Sequence, residues 1–425
     1  MFFGDYMFSF INRFIWLFVM VVILFSGFYF SFRLRGVQFK FRSMIRALFS
    51  SNGGVSSFGL LMTSLAGRIG VGSIAGVCLS IYIAGPGSIF WMWISTLFCA
   101  VITYCEVVLG VKYKVSYGGN YYGGPSYYIR NGIGNKFLGG LYSFLIIVSY
   151  ICCFLSIQSN TITKSVIHIF SFSPYIVGLC ISVITFFCIY GGFKSIVNVS
   201  LKLVPIMSFI YIGSSVVVCI MNYNVIGEVF LSIFKNAFNF KSFFSSFIPM
   251  VIVGIQRGIF SNEAGIGTSS IVASSSSNDY VKQGLVQMLG VYITTLIVCT
   301  STAIIILSSD YSSLNLSDIN GIELASYAFR YHFGDFGIYI LLISIVLFSF
   351  STIVTGYYYG ESSFNYFFSN INVKYIYVLR FLTLVILFLG CILPSSMLWD
   401  VVDIFVGVLV LINVYSIFRL RDKLE

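Results

Sequence analysis

Residues 254–273 read G-I-Q-R-G-I-F-S-N-E-A-G-I-G-T-S-S-I-V-A, inside a long apolar run. Four glycines, Arg257, Asn262, Glu263 and several hydroxyls interrupt that run. A helix that only crosses lipid has no use for such residues. Broken backbone within a bilayer is tolerated only where protein buries it or a watery cavity meets it. A second interruption, G-R-I-G-V-G-S at 67–73, breaks another apolar run. Unwinding a helix frees N–H groups at the start of one half and carbonyls at the end of the other. The N–H groups sit at a positive dipole end and suit a carboxylate. The carbonyls suit a hard cation such as sodium. A zwitterionic amino acid carried with a coupled cation uses both. Glycines that merely let helices pack closely would account for one such stretch, but less well for two matched ones with embedded Arg, Glu and Asn.

The elements that hold these residues follow from composition. The chain has 425 residues, 58% hydrophobic and 9% charged, with mean hydropathy +0.96. A soluble domain carries roughly 25% charged residues. The composition therefore predicts an all-α polytopic membrane protein: its apolar runs are about 20 residues long, not the alternating strands of an outer-membrane barrel. The formal charge of +10 sits between the apolar runs, so it reads as topology and predicts no nucleic-acid partner. The ten cysteines and two histidines show no C-x-x-C pair or metal-ligand spacing, so the cysteines read as small buried hydrophobes and no cofactor is expected.

Apolar runs cover 14–32, 57–83, 89–111, 137–163, 174–192, 203–221, 245–275, 284–308, 337–360, 375–393 and 398–418, which makes eleven expected spans. Alternating the loops puts 17 Lys and Arg on the side of residues 33–56 and five on the other, at Arg13, Lys164, Lys235, Lys241 and Arg330. The bias predicts an N-terminus outside and a cytoplasmic C-terminus, in a plasma membrane such as the bacterial inner membrane. The loop at 309–336, with Asp310, Asp318, Glu323 and Asp335, then lies outside. Residues 37–50 are spaced like a helix lying on the membrane surface, or form a solvated connector. With the first span set aside, the two broken spans are the first and sixth of ten, each opening a group of five. Five is odd, so the second group is inverted, and paired interruptions in inverted halves point to a transporter site. The expected domains are an added span and basic cytoplasmic linker (1–56), a core (57–418) with halves 57–221 and 245–418, and a cytoplasmic tail (419–425).

Several ordered blocks resemble the alanine or glycine:cation symporters, a branch of the amino acid–polyamine–organocation transporters. They are G-V-G-S-I-A-G-V (70–77), A-G-P-G-S-I-F-W-M-W (84–93), G-G-P-S-Y-Y-I (123–129), Q-S-N (158–160), G-G-F-K-S-I (191–196), K-L-V-P-I-M (202–207), R-G-I-F-S-N-E-A-G-I-G (257–267), F-S-T-I (350–353), Y-Y-G-E (358–361) and W-D-V-V-D-I-F (399–405). The resemblance implies a leucine-transporter-like fold of inverted five-helix repeats and sodium-coupled uptake of small neutral amino acids, chiefly alanine and glycine. It implies substrate contacts from Gly70, Gly72, Ser73, Gln158, Asn160, Ser261, Asn262, Gly265, Thr352 and Gly356. It also implies a sodium site near Gly67, Gly70, Ser351, Thr352 and Thr355. Gln158 and Asn160 are amides in an apolar span and need partners, either substrate or a neighbouring helix. Arg257 and Glu263 carry a structural or coupling role, with Glu263 paired to Arg257 or Arg68. The chain departs from the family at Ser73, where Asn is usual, at Thr294-Thr295, where Asp-Thr is usual, and at Thr355-Gly356, where Gly-Trp is usual. Losing the Trp wall predicts a pocket for a somewhat larger neutral amino acid.

Other readings compete. Glu106, Glu263 and Glu361 lie in or near spans, which would suit a proton-coupled carrier. A channel would want a selectivity ring, and a sensor would want an output domain. No His/Cys/Asp cluster suggests an enzyme. The tyrosines and Arg130 of Y-Y-G-G-P-S-Y-Y-I-R are expected at the membrane interface.

Overall fold

A computed structural model describes residues 2–49, 55–117, 119–238, 243–275, 279–311, 321–368, 373–393 and 396–424. Asp318 and Lys241 lie outside them. The described residues are 88% helical. In order, the helices are α1 (Phe2–Arg33), α2 (Phe41–Leu48), α3 (Ser57–Arg68), α4 (Ala75–Ala84), α5 (Gly87–Lys112), α6 (Lys136–Phe170), α7 (Pro174–Tyr190), α8 (Gly192–Met221), α9 (Tyr223–Ala237), α10 (Ile248–Asn262), α11 (Thr268–Ser274), α12 (Tyr280–Leu307), α13 (Gly321–Phe333), α14 (Asp335–Phe367), α15 (Val373–Ile392) and α16 (Ser396–Arg419). Starts are set by side chains that accept the orphan N–H groups of a first turn. Ser56 Oγ takes the Gly59 N–H at 3.1 Å, and Asn135 Oδ1 takes that of Leu138 at 2.9 Å. Asp279 Oδ1 takes the Val281 N–H at 2.8 Å.

Among the described residues, eight helices are long and apolar enough to cross a membrane, and α3 with α4, bent by 68°, makes a ninth candidate. Helix α7 is apolar but short, and the second interrupted stretch splits into pieces of 15 and 7 residues. The outward faces carry Phe209, Phe187 and Phe381, 82%, 70% and 67% exposed. Such aromatic surface is unfavourable in water and comfortable in lipid tails. The protein is thus a multi-pass membrane protein.

Three helices fall where the hydropathy pattern leaves connectors: α2, α9 and α13. The glycine-rich stretch after α5 forms a hairpin, Val115–Tyr117 paired antiparallel with Asn120–Tyr122, and then a turn of helix at Pro125–Tyr128. Tyr127 and Tyr128 are buried, and Tyr128 donates to Asn413 on α16. The expectation of an interface position for these tyrosines is therefore corrected. The G-G-P corner turns them into the bundle, while Arg130 stacks over Tyr127 and Tyr366 at 5.5 and 5.0 Å.

The core lies between α3–α4 and α10–α11, with α5, α6, α8, α12 and α14 around them. Helix α1 packs on α5 and α16 at the side of this bundle. Helices α6 and α12 each change to π-helix for seven residues, at Val148–Phe154 and Ile293–Cys299. Such bulges re-aim side chains and concentrate at functional sites; here both lie beside the breaks.

Candidate functional site at two broken helices

The first break runs from Ile69 to Ile74. The last carbonyls of a helix have no partner within it, and two of them, Ala66 and Gly67, accept from the Thr352 hydroxyl at 3.2 Å each. Thr355, one turn on, reaches the Thr63 carbonyl at 3.5 Å. Of the residues expected near sodium, Gly67, Thr352 and Thr355 come together here, joined by the Ala66 and Thr63 carbonyls, which are not among the expected ones. At Gly67 a Cβ would collide with the Tyr359 hydroxyl, which would have to shift. At Gly70 a Cβ would lie 2.5 Å from Thr352 Oγ1. Ser351 sits apart from these carbonyls, donating to the Phe348 carbonyl at 2.9 Å and lying 3.6 Å from Met207 Sδ.

Within the break, Gln158 Oε1 accepts the Val71 N–H at 3.2 Å. The amide thus finds its partner in the unwound backbone. Asn160 does otherwise: its Nδ2 donates to the Gly390 and Leu393 carbonyls of α15, at 3.0 and 2.8 Å. For Asn160 the helix-to-helix alternative is what the structure shows, although the residue also lines a cavity.

The second break spans Glu263–Gly267. Glu263, at φ +54°, ends α10 in the left-handed region, a conformation costly for a residue with a Cβ. Gly265 and Gly267 follow at φ +82° and +99°. Asn262 clamps the turn, its Oδ1 accepting the Ala264 N–H and its Nδ2 donating to Thr295, both at 3.0 Å. The freed carbonyls of Gly265 and Ile266 are taken by Asn413, at 2.8 Å, and by Tyr142. The two breaks meet where Ser73 and Ser261 hydrogen-bond at 2.8 Å. Cys299 lies 3.1 Å from Ser261, and Thr302 donates to the Ser73 carbonyl at 2.8 Å. Gly72 faces the Phe260 ring, 2.8 Å from where a Cβ would stand.

The expected charge pairings are corrected. Glu263 forms no ion pair among the described residues. Its carboxylate instead accepts from Tyr150, Thr268 and Tyr359 at 2.8, 2.9 and 3.2 Å. The left-handed turn carries it away from α10's own axis and toward α6 and α14. Arg257 pairs with Asp403 on α16 at 2.6 Å, both buried. Arg68 donates to the Gln287 carbonyl at 3.0 Å and to Ser269, with Glu263 and Glu106 within electrostatic reach. It therefore joins α3, α11 and α12. Glu106 accepts from Asn413 at 2.9 Å. Gly356 faces no open pocket: a Cβ there would meet Leu155 at 2.9 Å and Tyr150 at 3.5 Å.

Two cavities flank the site. One, of about 790 Å³, meets α4 and is lined by Ala75, Asn160, Lys164, Glu323 and Trp399. The other, of about 800 Å³, meets the start of α3 and is lined by Ser56, Tyr122, Lys194, Glu361 and Arg380. The first touches α4 at Ala75 and Leu79, just past the break, and the second lies at Val55 and Ser56, before α3 begins. An aromatic column stands beside the breaks: Tyr150 stacks on Phe154 at 4.6 Å, Phe154 on Phe260 at 4.9 Å, and Phe260 meets Trp399 at 5.3 Å.

Tyr150 and Asn413 lie in none of the motif blocks, while Tyr359 and Asp403 lie within Y-Y-G-E and W-D-V-V-D-I-F but have no expected site role. Only Asp403 announces itself, as an acid in a span that must find a cation. No cluster of three or more His, Cys, Asp or Glu suited to a metal occurs among the described residues.

The sequence model of the sodium:alanine symporter family matches residues 1–424. The "Probable sodium/glutamine symporter GlnT" of Bacillus subtilis is 35% identical over 418 residues, 96% of this chain and 87% of that protein. The amino-acid carrier protein AlsT of the same organism is 35% identical over 417 residues, 97% and 88% of the two chains. The sodium/alanine symporter AgcS of Methanococcus maripaludis is 32% identical over 426 residues, 96% and 93%.

Proposed function

The chain belongs to the sodium:alanine symporter family, transporters and not enzymes, and from that premise we propose that it moves a small neutral amino acid inward with sodium by alternating access. The observation that carries this reading is the Thr352 hydroxyl shared between the Ala66 and Gly67 carbonyls. A hydroxyl and two carbonyls are hard oxygen donors without charge, a set that suits a monovalent cation better than a proton. Sodium binding there would exchange those hydrogen bonds for ion contacts and draw α14 onto α3.

The amino acid would sit where the breaks meet. Its carboxylate suits the positive dipole end of α4 and the N–H groups around Gly70–Ser73. Its ammonium suits the carbonyl end of α10. Ser73, Gln158, Ser261, Asn262 and Gly265 are the proposed surroundings, with Thr352 on the cation side. A substrate larger than alanine is favoured by Ser73, which is shorter than Asn, and by likeness to a protein named for glutamine. Leu155 fills the space at Gly356, so the added room is expected beside Ser73.

The same reading takes 57–221 and 245–418 as inverted halves of a ten-span core with one added span, eleven in all. The N-terminus is outside, the tail 419–425 is cytoplasmic, and the membrane is the plasma membrane. The bend between α3 and α4 and the left-handed turn at Glu263, one in each half, support it.

The test is uptake of a panel of labelled amino acids into proteoliposomes, with and without an inward sodium gradient. Sodium-driven accumulation of alanine, glycine or glutamine is expected. Uptake that ignores sodium but collapses with the proton gradient would reassign the coupling ion. No accumulation under either gradient would end the proposal.

A further inference from the structure

Helix α2 is too short to cross a membrane, yet it is built with three distinct faces. Met44 and Ala47 are buried against the protein. Phe41, Ile45 and the following Phe49 are 44%, 52% and 79% exposed, with Phe39 beside them at 58%. Arg42 and Arg46, one turn apart, form a third, basic face, extended by Lys40 and Arg35. Arg33 is paired with Asp422, but Arg35, Lys40, Arg42 and Arg46 have no ion pair among the described residues. The chain reaches this helix by a turn at Arg35 and Gly36, both left-handed at φ +51° and +64°.

We propose that this elbow is a docking site for the headgroups of anionic phospholipids. Alternation of aromatic and basic residues on one exposed surface fits the boundary between acyl chains and phosphates. A free phosphate would use the cations but leave the three phenylalanines and Ile45 in water, so lipid is the occupant that satisfies both. The elbow is also held to the transport core. Tyr292 of α12 donates to the Gln38 carbonyl at 2.8 Å, and its ring meets Phe41 at 5.1 Å. Tyr292 immediately precedes the π-helical segment that carries Thr295 and Cys299 to the second break. A headgroup seated on α2 therefore bears on the helix that clamps Asn262.

The site is tested in the full chain reconstituted into vesicles, with tryptophan introduced as Ile45→Trp. Quenching by brominated phosphatidylglycerol is compared with quenching by brominated phosphatidylcholine. Both lipids should quench, with an apparent preference of about fivefold or more for phosphatidylglycerol. Adding Lys40→Gln, Arg42→Gln and Arg46→Gln should bring the ratio toward one while phosphatidylcholine quenching persists, which also reports that the helix still lies in the interface. Equal quenching in the parent overturns the proposal. So does quenching by neither lipid, or a preference the three glutamines leave unchanged. None of these residues belongs to the proposed transport site, so the result is independent of which amino acid or ion is carried.

Discussion

Thr352 holds two carbonyls that α3 cannot satisfy for itself, so its loss should be felt by the cation before the amino acid. Thr352→Ala should weaken the sodium dependence of uptake by about tenfold, the order of one hydrogen bond to a charged group. Thr352→Ser, which keeps the oxygen, should stay within about threefold. The half-saturating sodium concentration measures both; equal behaviour of the two variants would remove Thr352 from the ion site. This residue was legible in the sequence only through the family resemblance that its F-S-T-I block carries. Gln158 was legible as an amide in need of a partner, but not its partner, the Val71 N–H. The partner lies 87 residues away on an unwound segment. Asn160, two residues on, looks equivalent in sequence, yet faces α15. Helical geometry places neighbours i and i+2 on opposite sides, and only the packing tells which side holds the site.

The broken helices are held open by contacts from outside themselves. Arg257 and Asp403 tie α10 to α16, and removing one partner strands the other as a buried charge. Arg257→Ala should therefore cost about 3–5 kcal/mol, seen as a lower melting temperature in detergent. The double replacement Arg257→Met with Asp403→Leu should recover much of it. A melting temperature unaffected by Arg257→Ala would show that the pair opens to water. Glycine and charge marked both interruptions in the sequence. The pairing did not show, because apolar periodicity says nothing about which of several buried acids a given cation meets. The π-helical segments in α6 and α12 left no signal either: V-S-Y-I-C-C-F and I-T-T-L-I-V-C read as ordinary apolar helix. Helices α9 and α13 were passed over as connectors because their amphipathic patterns lack the length of a span, whereas residues 37–50, which hold α2, carried the spacing of a surface helix.

The bundle presents one cavity against the first turns of α4 and another at the start of α3, and the alternating access proposed above requires that they not be open together. Ser326→Cys in the cavity next to α4 and Asn198→Cys in the cavity next to α3 should respond in opposite senses. On adding sodium, labelling by a membrane-impermeant thiol reagent should rise at one position and fall at the other, relative to the unsubstituted chain. Parallel changes would argue against a single reciprocal motion. The two breaks are themselves unequal. The carbonyls of the second are tied off by Asn413 and Tyr142, which are fixed parts of α16 and α6. Those of the first are held by a hydroxyl, which a cation can readily displace. On the proposed function, one such exchangeable set would couple one sodium ion to each cycle. A membrane potential of about 100 mV contributes roughly 2.3 kcal/mol per charge, and a tenfold sodium gradient about 1.4 kcal/mol. With one sodium carried per solute, as proposed, these would together set a ceiling of roughly 500-fold on the accumulation of a neutral solute, so the tying-off of one break would fix how steep a nutrient gradient the cell can hold.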